Sequence, residues 1–85
     1  MFYVYAIYSK LFDKIYIGIS SNLEGRLAAH NHPSNNGYTK KFQPWILVYS
    51  ELVNSKSDAL KREKQLKSYK GRLFIRKVIA ELNEN

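Results

Sequence analysis

Hydrophobic positions along this chain follow two distinct periods. Residues 2–8, Phe-Tyr-Val-Tyr-Ala-Ile-Tyr, form an unbroken aromatic and β-branched run that predicts a strand. Residues 14–19 alternate: Ile15, Ile17 and Ile19 share one face, and Tyr16 and Gly18 share the other. That is the pattern of a second strand whose isoleucine face is buried. The short connection Ser9–Asp13 favours an antiparallel hairpin. Ser20, Ser21 and Asn22 are all good N-caps for a helix running from Leu23 through Leu27 to about Asn31. His32 to Phe42 is a polar loop, and Pro44 precedes a third strand, Trp45–Tyr49. Ser55 or Ser57 would cap a second helix that reaches about Tyr69 and is ended by Gly71. A last helix, Leu73 to Leu82, carries apolar residues at Leu73, Phe74, Val78, Ile79 and Leu82. The order β-β-α-β-α-α predicts an α+β domain, a three-stranded and mainly antiparallel sheet flanked by helices. No repeat, linker or low-complexity tract divides the chain, so residues 1–85 are expected to form one domain.

Pairing Tyr8 with Asp13 across a four-residue loop would set Tyr5 opposite Tyr16 and Tyr3 opposite Gly18. Two phenols would then stand beside a missing side chain. They are either an aromatic pair that only stabilises the hairpin, or two hydroxyls aimed at a substrate oxygen with Gly18 leaving room for a ligand. In the first helix Arg26 and His30 lie four apart on one face. The plain reading is an exposed arginine and a satisfied histidine. The chemical reading is a guanidinium gripping a phosphate, with an imidazole one turn away to bond or to move a proton. In the second helix Glu63 falls within the apolar stripe of Ala59, Leu60, Leu66 and Tyr69, while Lys56, Lys61, Arg62, Lys64 and Lys67 turn outward. An inward carboxylate is costly unless it is paired or holds a cation. Its partner is either Arg26 or a nearby lysine, or else a hard metal such as Mg²⁺ or Mn²⁺ held by one carboxylate and completed by water and phosphate.

Composition sharpens this picture. The apolar fraction of 45% is that of a folded domain, and 14 Lys and Arg against 7 Asp and Glu give a net charge of +7. Such an excess favours a polyanionic partner or an anionic membrane surface. The nine Lys and Arg between Asn54 and Val78 face only two acids there, with polar and aromatic residues interleaved. Lys64, Lys67, Lys70 and Arg72 are therefore candidate contacts to nucleic acid, as are Lys40 and Lys41 in the loop Gly37–Phe42. The alternative is an ordinary solvated basic face. An amphipathic membrane helix fits less well, because the small core needs those apolar residues. Absence of cysteine excludes disulfides, thiolate zinc sites and cysteine nucleophiles. Two histidines one residue apart, His30 and His32, make a poor metal site. No apolar run approaches the roughly 20 residues that span a bilayer. The N-terminus lacks the features of a signal peptide, so a soluble, cytoplasmic domain with no membrane partner is expected.

Taken together, several stretches resemble the GIY-YIG nuclease superfamily, in its small single-domain branch related to the endonuclease domain of the bacterial excinuclease subunit UvrC. They are Tyr3-Val4-Tyr5, Tyr16-Ile17-Gly18, residues 22–30, Gly37-Tyr38-Thr39, Pro44-Trp45 and residues 59–67. The resemblance covers roughly residues 2–80. It implies the same sheet flanked by helices and metal-dependent cleavage of nucleic-acid phosphodiesters, here DNA that is branched or damaged, in repair or recombination. It implies Tyr5 as general base on an attacking water, with Arg26 and one divalent cation (Mg²⁺ or Mn²⁺) lowering its pKa from the ordinary value near ~10. Tyr16 would orient the water or a phosphate oxygen, Arg26 would stabilise charge in the transition state, His30 would assist Tyr5 or touch the phosphate, and Glu63 would hold the metal. The sequence departs from the pattern at Tyr3, where the motif's name calls for glycine. It departs again at Ile19, where excinuclease relatives carry a lysine, for which His30 would compensate. A non-catalytic or weakly cutting nucleic-acid-binding module of the same fold is the competing expectation. Target selectivity would come from a partner protein or be weak.

Overall fold

The computed structural model describes residues 1–83. Its elements are β1 (Phe2–Ser9), β2 (Lys14–Ser20), α1 (Leu23–Asn31), a 3₁₀ turn (Tyr38–Phe42), β3 (Ile46–Val53), α2 (Lys56–Lys67) and α3 (Tyr69–Asn83). The order is the β-β-α-β-α-α series of an α+β domain. The sheet runs β2-β1-β3 with both pairings antiparallel, so β1 is central. That position accounts for its unbroken apolar run, because both faces of β1 are covered. Val4 and Ala6 point to one face and join Ile17, Ala59, Leu66, Ile75 and Ile79 beneath α2 and α3. Tyr5 and Ile7 point to the other and meet Trp45, Tyr16, Leu23, Leu27 and Phe42 beneath α1 and the 3₁₀ turn. β2 buries Ile17 on its isoleucine face, with Ile15 and Ile19 half-buried against the same core. Its tyrosine face, which looked open, roofs a second and smaller core.

The hairpin register differs from the one expected. Ser9 pairs with Lys14, which places Tyr5 opposite Gly18 and Tyr16 opposite Ile7. The slip is caused by Asp13, which ends the four-residue loop in a left-handed conformation with φ of 53° instead of entering the ladder. Its carboxylate accepts a 2.8 Å bond from the Tyr8 hydroxyl and a second bond from Arg76. Because the slip is by an even number of residues, Tyr5 and Tyr16 keep their common face.

Asn22 is the cap of α1, accepting from the Gly25 amide at 3.0 Å, and Ser55 is the cap of α2. The third strand starts one residue later than expected, at Ile46, and runs on to Val53. Arg62 does not turn outward as expected; it pairs with Glu51 and so pins α2 to β3. The stripe of α2 is Ala59 and Leu66, whereas Leu60 is 48% exposed and Tyr69 77% exposed. Nor does Gly71 end α2. Ser68 does, and its hydroxyl then accepts from the Gly71 amide at 3.2 Å to open α3. Gly71 lies in the first turn of α3, where the helices meet backbone to backbone. A Cβ there would lie 2.3 Å from the Gln65 oxygen and 2.4 Å from the Leu66 Cα. No helix among the described residues is long and apolar enough to cross a membrane.

Gly71→Ala is therefore expected to force α2 and α3 apart and to cost about 1–3 kcal/mol, the range for overpacking. Thermal unfolding followed by circular dichroism should show a midpoint lower by roughly 4–8 °C per kcal/mol for a domain of this size.

Candidate active site

The central strand delivers Tyr5 to the underside of α1. The Tyr5 ring lies across Gly18, where a Cβ would come within 2.6 Å of the phenol oxygen. Gly18 thus makes room for the protein's own tyrosine, not for a ligand. From that position the Tyr5 hydroxyl meets His30 Nε2 at 2.8 Å. Tyr16 packs edge-on against the same imidazole with 4.9 Å between ring centroids, and lies tilted to Tyr5 at 6.5 Å. His30 is 8% exposed and Tyr5 2%.

The second imidazole nitrogen has a partner that sequence reasoning missed. His30 Nδ1 lies 2.9 Å from Thr39 Oγ1, and Thr39 is itself buried. Thr39 Oγ1 accepts from Asn35 Nδ2 at 2.8 Å. The orientation of the Asn35 amide is fixed at both ends, because its oxygen accepts from the Gly37 amide and its nitrogen donates to the His30 carbonyl. Asn31 clamps both backbone groups of Trp45, at 2.7 and 2.8 Å, and the Trp45 indole donates to the Thr39 carbonyl at 2.8 Å. The polar loop is thereby folded back onto α1. A buried phenol proton with no other acceptor must go to Nε2, which leaves Nδ1 as the donor to Thr39. Sequence offered one pointer: a buried imidazole needs two partners. Thr39 lay within the Gly37-Tyr38-Thr39 stretch of the family resemblance, but nothing in the sequence assigned it to the imidazole.

Burial sets the titration of this cluster. It raises the Tyr5 phenol well above its ordinary value, and the Tyr16 and Glu63 charges act in the same direction. The Arg26 charge lowers it, as expected, but is outweighed by burial. A standing phenolate at Tyr5 is therefore disfavoured by the chain itself. Burial, followed by the Arg26 charge, holds His30 below its ordinary value and keeps the imidazole neutral at pH 7.

Arg26 is exposed and has no carboxylate partner among the described residues. It lines a cavity of about 220 Å³ together with Tyr16, His30, Asn35, Tyr38 and Thr39. Tyr5 stands behind that wall. Glu63 lies between Ala59 and Leu66 on the inner face of α2, with its side chain 21% exposed. Its charge registers at Tyr5, but it does not line the Arg26 cavity. Its ion-pair partner is Lys67, one turn on, at 3.5 Å from Oε2. Oε1 has no partner among the described residues, and no cluster of three or more His, Asp or Glu suited to a metal occurs among them. One half-buried carboxylate with a free oxygen fits a hard divalent cation that keeps most of its water.

The cations expected to meet nucleic acid are dispersed. Lys64 and Lys67 share a shallow surface with Lys61. Lys70 lies beside Gly71 and Phe74. Arg72 lies toward the hairpin with Lys14. Lys41 is exposed, but Lys40 donates to the Pro33 carbonyl at 2.7 Å and so braces the polar loop.

Residues 1–77 match the GIY-YIG catalytic domain. UPF0213 protein SH2523 of Staphylococcus haemolyticus is 40% identical over 67 residues, which are 79% of this chain and 80% of that protein. UPF0213 protein SSP2268 of Staphylococcus saprophyticus is 37% identical over the same shares of each chain. A UPF0213 protein of Staphylococcus aureus strain Mu3 is 40% identical over 55 residues, 65% of this chain and 67% of its own. No solved structure matches.

The two shifted groups give stability opposite limbs with pH. Below pH 6.5 an unfolded His30 takes up a proton that the folded one refuses, so stability falls from there down to the depressed folded value and then levels. Above pH 10.0 an unfolded Tyr5 releases a proton that the folded one keeps, so stability falls as pH rises. Melting midpoints measured against pH should show the acid limb flattened in His30→Gln and the alkaline limb flattened in Tyr5→Phe.

Proposed function

The chain belongs to the GIY-YIG family, a nuclease-type fold, and we propose that it is a divalent-metal-dependent endonuclease that hydrolyses DNA phosphodiester bonds by water attack. The observation that carries this reading is the hydrogen-bonded series Tyr5–His30–Thr39 behind a cavity that holds an unpaired arginine. The exposed Arg26 guanidinium, with no carboxylate partner among the described residues, is free to take an anion beside the neutral imidazole.

Each side chain then has a role. Arg26 binds the non-bridging oxygens of the scissile phosphate and stabilises the charge that grows on them. Tyr16, on the cavity wall, orients the water or a phosphate oxygen. The raised pKa of Tyr5 changes its part from a standing phenolate to a relay. As the water oxygen bonds to phosphorus, the water proton passes to the Tyr5 oxygen and the phenol proton passes to His30 Nε2. One P–O ester bond breaks, and its oxygen leaves with a proton from solvent. Thr39 accepts from Nδ1 throughout and so keeps Nε2 available. Glu63 would hold the divalent cation, which when bound supplies Lewis-acid stabilisation of the phosphate and leaving group.

Incubation of the purified protein with plasmid and branched DNA and Mg²⁺ or Mn²⁺ should yield nicking that a chelator stops. Glu63→Ala should abolish it. Tyr5→Phe and Arg26→Ala should each slow it by about 10²-fold or more, the usual cost of losing a proton-transfer group or a transition-state donor. Thr39→Val should slow it while Thr39→Ser retains it. Binding of DNA by wild type with no cleavage under any metal would make the chain a binding module instead.

A further inference from the structure

A second cavity, of about 310 Å³, opens at the hairpin end of the sheet and is lined by Asp13, Lys14, Ile15, Tyr38, Arg72 and Arg76. Tyr38 is also part of the wall of the Arg26 cavity, so the two hollows are neighbours across one phenol ring. That ring is 59% exposed but not loose. It packs at a tilt against Phe42, with 5.1 Å between centroids, and Phe42 meets Phe12 and Trp45 edge-on at 5.5 and 6.4 Å.

The charges here divide in two. Asp13 is answered inside the fold by Arg76 and the Tyr8 hydroxyl, and Arg76 donates again to the Asp13 carbonyl at 3.3 Å. Lys14 and Arg72 have no carboxylate partner among the described residues. Lys14 Nζ is held 5.6 Å from the centre of the Phe42 ring. Arg72 Nε donates to the Lys67 carbonyl at 3.2 Å, which aims the guanidinium and leaves its terminal nitrogens for a ligand. With the Asp13 carboxylate of the lining taken up by Arg76, the Arg72 fork and the Lys14 ammonium match the non-bridging oxygens of a phosphodiester.

We propose that this cavity is a second phosphate subsite, taking a phosphate adjacent to the scissile one on the same nucleic-acid strand, with the strand crossing over Tyr38. The inference rests on the nuclease reading for the occupant of the first cavity. A linked chain of phosphates is favoured over free phosphate because the cavities share a wall, and a chain can fill both at once. The expected gain from the second contact is that of a charge-assisted hydrogen-bonded pair, about tenfold in affinity.

Amide NMR titrations without divalent metal would test this, using a dinucleotide with one internucleotide phosphate and a trinucleotide with two. Wild type should bind the trinucleotide about tenfold more tightly, with shifts at residues 13–15, 72 and 76. A Lys14→Ala/Arg72→Ala variant, its fold verified by the same spectra, should bind the two ligands equally. A charge-matched Lys10→Ala/Lys77→Ala variant should keep the tenfold step. Persistence of that step without Lys14 and Arg72 would overturn the proposal. So would inorganic phosphate at matched ionic strength, if it shifted the same amides as strongly as the trinucleotide. Should wild type show the step but cut no DNA, the subsite would stand and the nuclease reading would fall.

Discussion

One buried hydrogen bond, 2.8 Å between a phenol on the central strand and an imidazole on the first helix, governs the upper half of this molecule. Tyr5 reaches His30 only because Gly18 has no side chain in the path of its ring. His30 faces Tyr5 with the correct nitrogen only because Thr39 occupies the other. Thr39 is there only because the loop after α1 folds back, held by Asn31 on Trp45 and by Gln43 on the His30 carbonyl at 2.8 Å. Each buried polar group in this chain would lose about 1–3 kcal/mol if left unpaired, so the cluster forms as a whole or not at all.

The architecture was legible where periodicity is strong. The alternation in β2, the doubly apolar run in β1 and the caps before α1 and α2 each carry a local physical signal, and the elements stand where those signals fall. Register was not legible. It turned on whether Asp13 would join the ladder or end the turn, and the deciding contact, with Arg76, comes from the far end of the chain. Gly71 misled for a similar reason: its lack of a side chain serves a helix crossing instead of a helix end. Of the site, Tyr5, Tyr16, Arg26 and His30 could be picked out by residue type and spacing, and they do lie together. Glu63 is half-buried as its place in the stripe suggested, though its neighbours in that stripe differ. The phenol's protonation could not be read from sequence, because it depends on how completely α1 and the 3₁₀ turn exclude water.

The net charge of +7 also looks different once the contacts are known. Arg62 and Arg76 join α2 to β3 and α3 to the hairpin turn, and Lys40 braces a loop. The cations left without carboxylate partners include Arg26, Lys14 and Arg72, and these lie on two cavities that share one aromatic wall. Local placement, more than total charge, decides where an anion would meet this surface.

The sheet order also bears on how a newly made chain comes to life. β1 and β2 are neighbours in sequence and can zip at once, whereas β3 must return from the far side of α1 and the polar loop, a slower closure. The tether from Asn31 to Trp45, the residue just before β3, ties the docking of that late strand to the seating of the imidazole. Until β3 docks, Tyr5 therefore lacks a firmly seated imidazole as its acceptor. The buried bond between strand and helix is completed last, with the closing of the sheet.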